Sequence, residues 1–170
     1  MKKSIIYFLL ACAFCSTAAA EPAATAERIN EVAGRGVHVM PFDLEKTLHI
    51  FNKTDSGGIQ QVIAKNTGDS GQIGLIRQHL AGIAAHFAQG DFSGPQRIHG
   101  NDMPGVKELA SAAGRVRFNY QDLPDGGQID YVTDAPELIA AIHRYFDAQL
   151  SDHARHAISG DHALHHKPQR

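Results

Sequence analysis

Beyond residue 20 this chain has no cysteine; its only two, Cys12 and Cys15, fall within the first twenty positions. The other 150 residues therefore hold no thiolate nucleophile, no thiolate metal ligand and no disulfide, and must be stabilised by core packing. Methionine is almost as scarce, with Met40 and Met103 the only two after Met1. No later apolar run approaches the roughly 20 residues that a membrane-spanning helix needs. Basic charge is not in excess either. Past residue 20, 14 Lys and Arg face 18 Asp and Glu, a formal net of −4. Such a balance argues against nucleic acid as a partner, which calls for a basic patch. The chain lacks a Gly-x-Ser-x-Gly elbow, a Walker loop, a His-Glu-x-x-His pair and a dinucleotide fingerprint. Ser151-Asp152-His153 offers three suitable residue types, but adjacency along the chain is not the geometry of a triad.

What stands at the start is a secretory signal. Lys2 and Lys3 precede an uncharged run from Ile5 to Cys15, and Ala18 and Ala20 form the small-x-small pattern read by a signal peptidase. The expectation is cleavage after residue 20 and a periplasmic or secreted product with no membrane span. An uncleaved anchor is one alternative. A lipoprotein is another, because Leu9-Leu10-Ala11-Cys12 resembles a lipobox. Residues 21–37 read as an Ala-rich polar extension with a short helix over 26–33.

Residues 38–153 read as one unit twice, 38–98 and 99–153. The first opens on His38-Val39-Met40-Pro41. A hairpin over 48–54 and 59–65 then turns at Asp55-Ser56-Gly57-Gly58. A helix over 72–89 follows, with Ile76, Leu80, Ile83 and Phe87 in one apolar stripe. The second opens on His99-Gly100-Asn101-Asp102-Met103-Pro104, with a short helix over 105–112. Its hairpin over 115–122 and 128–133 turns at Leu123-Pro124-Asp125-Gly126-Gly127, and Asp134-Ala135-Pro136-Glu137 opens a helix in a capping-box pattern. The Met-Pro pairs lie 63 residues apart and the Gly-Gly pairs 69 apart. The predicted fold is α+β: duplicated ββα units related by a pseudo-two-fold axis. They form a four-stranded antiparallel sheet with two helices on one face. Two units of separate origin would give the same fold. From Ala154 to Arg170 the chain reads as a polar, His-rich tail too poor in apolar surface to order itself.

All 11 histidines lie beyond residue 20, about three times ordinary usage. Neutral imidazole is a good ligand for zinc, copper and nickel. The tail gathers His153, His156, His162, His165 and His166, a composition associated with metal binding. The two unit starts bring His38 near Met40 and His99 near Met103, and imidazole with thioether is a copper-type ligand set. The same methionines are equally readable as core gap-fillers. His79 and His86 are seven apart, about 10 Å along one helix and too far for one ion. His143 stands four residues from Asp147, which would suit an outer-sphere partner or an ordinary surface pair. His49 alternates with Ile50 and has no face assigned.

Three runs carry a resemblance. Met40-Pro41-Phe42-Asp43-Leu44 with Thr47-Leu48-His49-Ile50-Phe51 is the first. Ile98-His99-Gly100-Asn101-Asp102-Met103-Pro104-Gly105 is the second, and Phe146-Asp147-Ala148-Gln149-Leu150-Ser151-Asp152-His153 is the third. Over about residues 38–156 the chain resembles a family of small exported bacterial proteins that often carry the label aspartate carbamoyltransferase. The Ser-x-Arg-Thr-Arg phosphate-binding motif of such a transferase is absent from this sequence. The resemblance therefore implies a discrete domain and brings no activity with it.

The leading functional expectation is an exported, non-enzymatic protein that binds copper or zinc through His38, Met40, His99, Met103, His143, His153, His156, His162, His165 and His166. The alternatives are a module that binds a small molecule or a protein in a cleft between sheet and helices, and a hydrolase or transferase. The latter would use His99 or His143 as general base beside Asp102 or Asp147.

Overall fold

The structure, a computed structural model, describes residues 24–160. The signal reading and three of the tail histidines, His162, His165 and His166, lie outside the described residues. In chain order the elements are α1 (Ala26–Gly36), β1 (Thr47–Thr54), β2 (Gly57–Ala64), α2 (Ser70–Ala88), α3 (Ser93–His99), α4 (Val106–Ala110), β3 (Arg117–Leu123), β4 (Gly126–Val132), α5 (Pro136–His153) and β5 (Ala157–Ser159).

Both expected hairpins form, β1 with β2 and β3 with β4, and they join antiparallel through β2 and β4. The register carries the two-fold symmetry. Adding 69 to the pair Gly57–Val132 returns Ile63–Gly126, and Gln60 meets Ile129 at the axis. The same shift turns His49–Val62 into Phe118–Tyr131. The two long helices cross over: α2 packs on β3 and β4, whereas α5 packs on β1 and β2. Each unit thus covers the other's sheet, so neither closes a core alone. The core side of the sheet is set by strand alternation. Thr47, His49 and Phe51 of β1 are buried with Gly58, Gln60, Val62 and Ala64 of β2. Ile76, Leu80 and Phe87 of α2 and Leu138, Ile142, Tyr145 and Phe146 of α5 close over them.

Several expectations are corrected. The sheet has five strands, in the order β3-β4-β2-β1-β5, and β5 runs parallel to β1. Residues 154–159 therefore leave the expected disordered tail. A strand of three residues has too little pattern to be read from sequence, yet it satisfies the open edge of β1 and buries Ala157. The N-terminal extension is likewise part of the domain from α1 onward. Thr25 caps that helix, Val32 is fully buried, and the helix packs against α3 and α5. The Gly-Gly pairs are not the turns. Asp55-Ser56 and Pro124-Asp125 turn the chains, and the glycines begin β2 and β4. A Cβ at Gly58 would collide with the Phe146 ring, and one at Gly126 with the Val62 carbonyl, so close approach demands them. The capping box before α5 does not form: Ala135 occupies the cap and no side chain bonds there. Among the described residues no helix is long and apolar enough to cross a membrane.

Candidate functional site

The end of α3 brings His99 to the middle of the molecule. Pro95 fits the first turn of this helix, where a backbone N–H has no partner in any case. Gly100, with φ of +93°, ends the helix immediately after His99. Two cavities share His99 as a wall. One, of about 500 Å³, also meets Arg28, Asn101, Asp102, Met103 and Asp152. The other, of about 310 Å³, lies under the sheet beside α2 and α5 and meets His49, His79, His86, His153 and Met40. Phe42, Val62, Ile83 and Tyr145 supply apolar wall to this second cavity.

Three of these imidazoles form a cluster. His49, His99 and His153 are each no more than 4 % exposed. The ring centres of His49 and His153 are 5.1 Å apart with the planes nearly parallel, and His99 meets His153 edge-on at 5.0 Å. Strand alternation places His49 there from β1, and the last turn of α5 delivers Asp152 and His153. The His99 ring N–H at Nδ1 donates to Asp152 Oδ2 at 2.8 Å. In the neutral ring this leaves Nε2 as the free lone pair. Arg28 holds the same carboxylate with Nε and a terminal nitrogen at 3.1 and 2.6 Å, and also donates to the His99 carbonyl. Burial works against the charge of Asp152, but the bonds from His99 and Arg28 outweigh it and hold its carboxyl well below the usual range. Burial pushes His49 down to about 4 and His153 well below the ordinary imidazole value, with the neighbouring histidines adding to the effect. Burial also lowers His79. His49 Nδ1 is buried without a hydrogen bond of good geometry among the described residues, although the His156 backbone lies close enough to the ring to favour its protonated form in part.

The sequence candidates separate accordingly. His99, His153 and Met40 meet at the second cavity. Met103 is buried in the core and faces the first cavity, and His38 is exposed. His143 is occupied elsewhere: its Nε2–H is shared between the carbonyls of Thr54 and Gly57, which pins the first hairpin to α5. Asp147 pairs with Lys53 rather than His143. His156 bonds Glu45, whose carboxyl Arg155 and His156 hold down at about 2. The general-base pairings His99 with Asp102 and His143 with Asp147 are thus replaced by His99 with Asp152. Among the described residues no group of three or more His, Cys, Asp or Glu side chains is arranged to hold a metal ion as it stands. Arg28 is not among the sequence candidates, His49 has no face assigned there, and Asp152 figures only within the Ser151-Asp152-His153 run. Alternation with Phe51 would have turned His49 inward, whereas nothing local announces the contact of Arg28, 124 residues from Asp152.

One stability result follows from His143. His143→Ala leaves two carbonyls at the hairpin end without their donor and is expected to cost about 1–2 kcal/mol. Urea denaturation measures it, and a change below about 0.5 kcal/mol would show the bond to be ornamental.

The chain matches no family model, no curated protein and no solved structure.

Proposed function

We propose that this is an exported domain that binds a transition metal ion, copper or zinc, between His49, His99 and His153. The observation that carries the reading is His49. Its ring is buried in the wall of a cavity, has a nitrogen without a hydrogen bond, and lies 5.1 Å from the His153 ring, which in turn meets His99. A buried polar atom left unpaired costs about 1–3 kcal/mol, so it calls for an explanation. Two imidazoles sharing a tetrahedral ion, with metal–nitrogen distances of about 2.0 Å, have ring centres about 5 Å apart. Two of the three pairs have that spacing, His49 with His153 and His99 with His153. Ring rotations would have to turn the nitrogens toward one ion. Asp152 on His99 is the outer partner that metal-binding histidines commonly have.

Equilibrium dialysis with elemental analysis tests this on the full chain. One ion per chain is expected. His49→Ala, His99→Ala and His153→Ala should each weaken binding about tenfold or more, while replacing His162, His165 and His166 by Ala should leave this ion in place. If the cluster variants retain full affinity and the tail variant loses it, the cavity is not the site.

The cavity, at about 310 Å³, is much larger than one ion, and this favours a second reading in which an organic ligand occupies it. A melting temperature that ignores metal but rises with such a ligand would select that reading.

A further inference from the structure

We propose that the ion in this cavity is monovalent copper, with the Met40 thioether as a ligand beside the histidines. The inference rests on the metal-binding reading above and goes beyond it in the oxidation state and the sulfur ligand.

Charge decides between the candidate ions. The second cavity has no carboxylate and no thiolate in its wall, and the one permanently charged side chain there is the solvent-exposed Arg97 guanidinium, which weighs against a divalent cation more than a monovalent one. The nearest acid, Asp152, sits behind His99, and the guanidinium of Arg28 already neutralises it. Histidine and methionine ligands are neutral, so the protein supplies no net negative charge to the ion. The cost of desolvating an ion grows with the square of its charge. An uncompensated divalent ion is therefore about four times as costly to desolvate here as a monovalent one. Zinc(II) and copper(II) would each have to import an anion or keep water, whereas copper(I) is satisfied by few, neutral and soft ligands. Met40 fits that preference. It lines the same cavity as the three histidines, is only partly buried, and has an unbranched side chain that can adjust its sulfur position.

The scarcity of sulfur makes the test sharp. In a full chain carrying Cys12→Ser and Cys15→Ser, the only sulfur left is in thioethers, and beyond residue 20 only Met40 and Met103 supply it. Anaerobic titration with copper(I) against a chromogenic chelator is expected to give one ion per chain. X-ray absorption of that complex should show one sulfur neighbour together with imidazole nitrogen. Met40→Leu should remove the sulfur signal and weaken copper(I) about tenfold or more, with zinc(II) affinity unchanged. Met103→Leu should change neither. Tight zinc(II) binding at the cluster without copper(I) competition would overturn the copper inference and leave the metal reading standing. A copper(I) complex with no sulfur neighbour would overturn the ligand assignment even if Met40→Leu failed to fold. Binding of neither ion would defeat both this inference and the metal reading.

Discussion

Acidifying the metal-free protein from pH 7 to pH 4 is expected to remove about 3 kcal/mol or more of its folding stability. His49 carries most of the argument. An unfolded histidine titrates near 6.5, while burial holds this one at about 4 in the folded state. Between those values the unfolded chain takes up a proton that the folded chain refuses, so stability falls as pH falls through that window. At about 1.4 kcal/mol per pH unit the loss from His49 alone is roughly 3 kcal/mol. The stability is fully present above about 6.5. His153 is displaced in the same direction, also by burial first, and adds to the loss. Of the groups facing them, the side chains of His79, His99 and His156 offer no negative charge to a new imidazolium; Asp152 beside His153 and the His156 backbone beside His49 favour it in part but are outweighed by burial. Asp152 acts in a lower window. Its carboxyl is depressed, so its contribution is present above the usual carboxylate value near 3.9 and disappears only on further acidification. Thermal melts across pH 4–8 should show a fall of about 10 °C or more between 7 and 4. His49→Phe should flatten part of that slope. A melting temperature constant over the range, or one whose slope survives His49→Phe intact, would contradict the assignment.

Replacing Asp152 by Ala is expected to destabilise the domain by about 2–3 kcal/mol. Two donors lose their acceptor at once. His99 Nδ1 is left buried without a partner, and Arg28 is left with a charge facing a partly covered site. The side chain of Asp152 is 11 % exposed and that of Arg28 33 %, so water relieves part of the cost on the arginine side, and the figure stays below the range for a fully buried pair. The contact also spans the molecule, since Arg28 belongs to α1 and Asp152 to the end of α5. Its loss should loosen the seat of α1. A double-mutant cycle over Arg28→Ala and Asp152→Ala should give a coupling above about 1 kcal/mol by urea denaturation. Strictly additive effects would mean that the pair is only a geometric coincidence. If the cavity binds metal, Asp152→Asn should also weaken it by about tenfold or more.

The parts of this fold that repeat along the chain were legible in it. Period-two alternation marked β3, and the stripe Ile76, Leu80, Phe87 marked α2. The paired glycines marked both hairpins, although close approach to Phe146 and to the Val62 carbonyl, not turn chemistry, is what demands them. What did not show was whatever depends on tertiary contact. β5 is three residues that become a strand only because β1 offers an edge. A helix over 26–33 is expected from the sequence, but the docking of α1 is not, because its anchoring depends on Val32 and Arg28 meeting distant partners. The same limit divides the site. His99, His153 and Met40 stood out by residue type. His49 looked like an ordinary strand residue, and His143, attractive beside Asp147, turned out to serve a hairpin.

The pseudo-two-fold axis has a further consequence for how the molecule opens. The shift of 69 that relates the halves places Phe118 where the other half has His49. Around Phe118 are Phe87, Phe92 and Tyr131, a cluster of aromatic rings in edge and stacked contact. Around His49 are His153, Phe42 and, next to His153, His99. One side of the axis is thus an aromatic core and the other a polar one that borders a cavity. Amide protons of the interior strand β4 beneath the aromatic side should be among the last to exchange with solvent, and those of the three-residue edge strand β5 among the first. On that expectation the half around Phe118 is the more rigid one, and a ligand would reach the cavity through the half around His49.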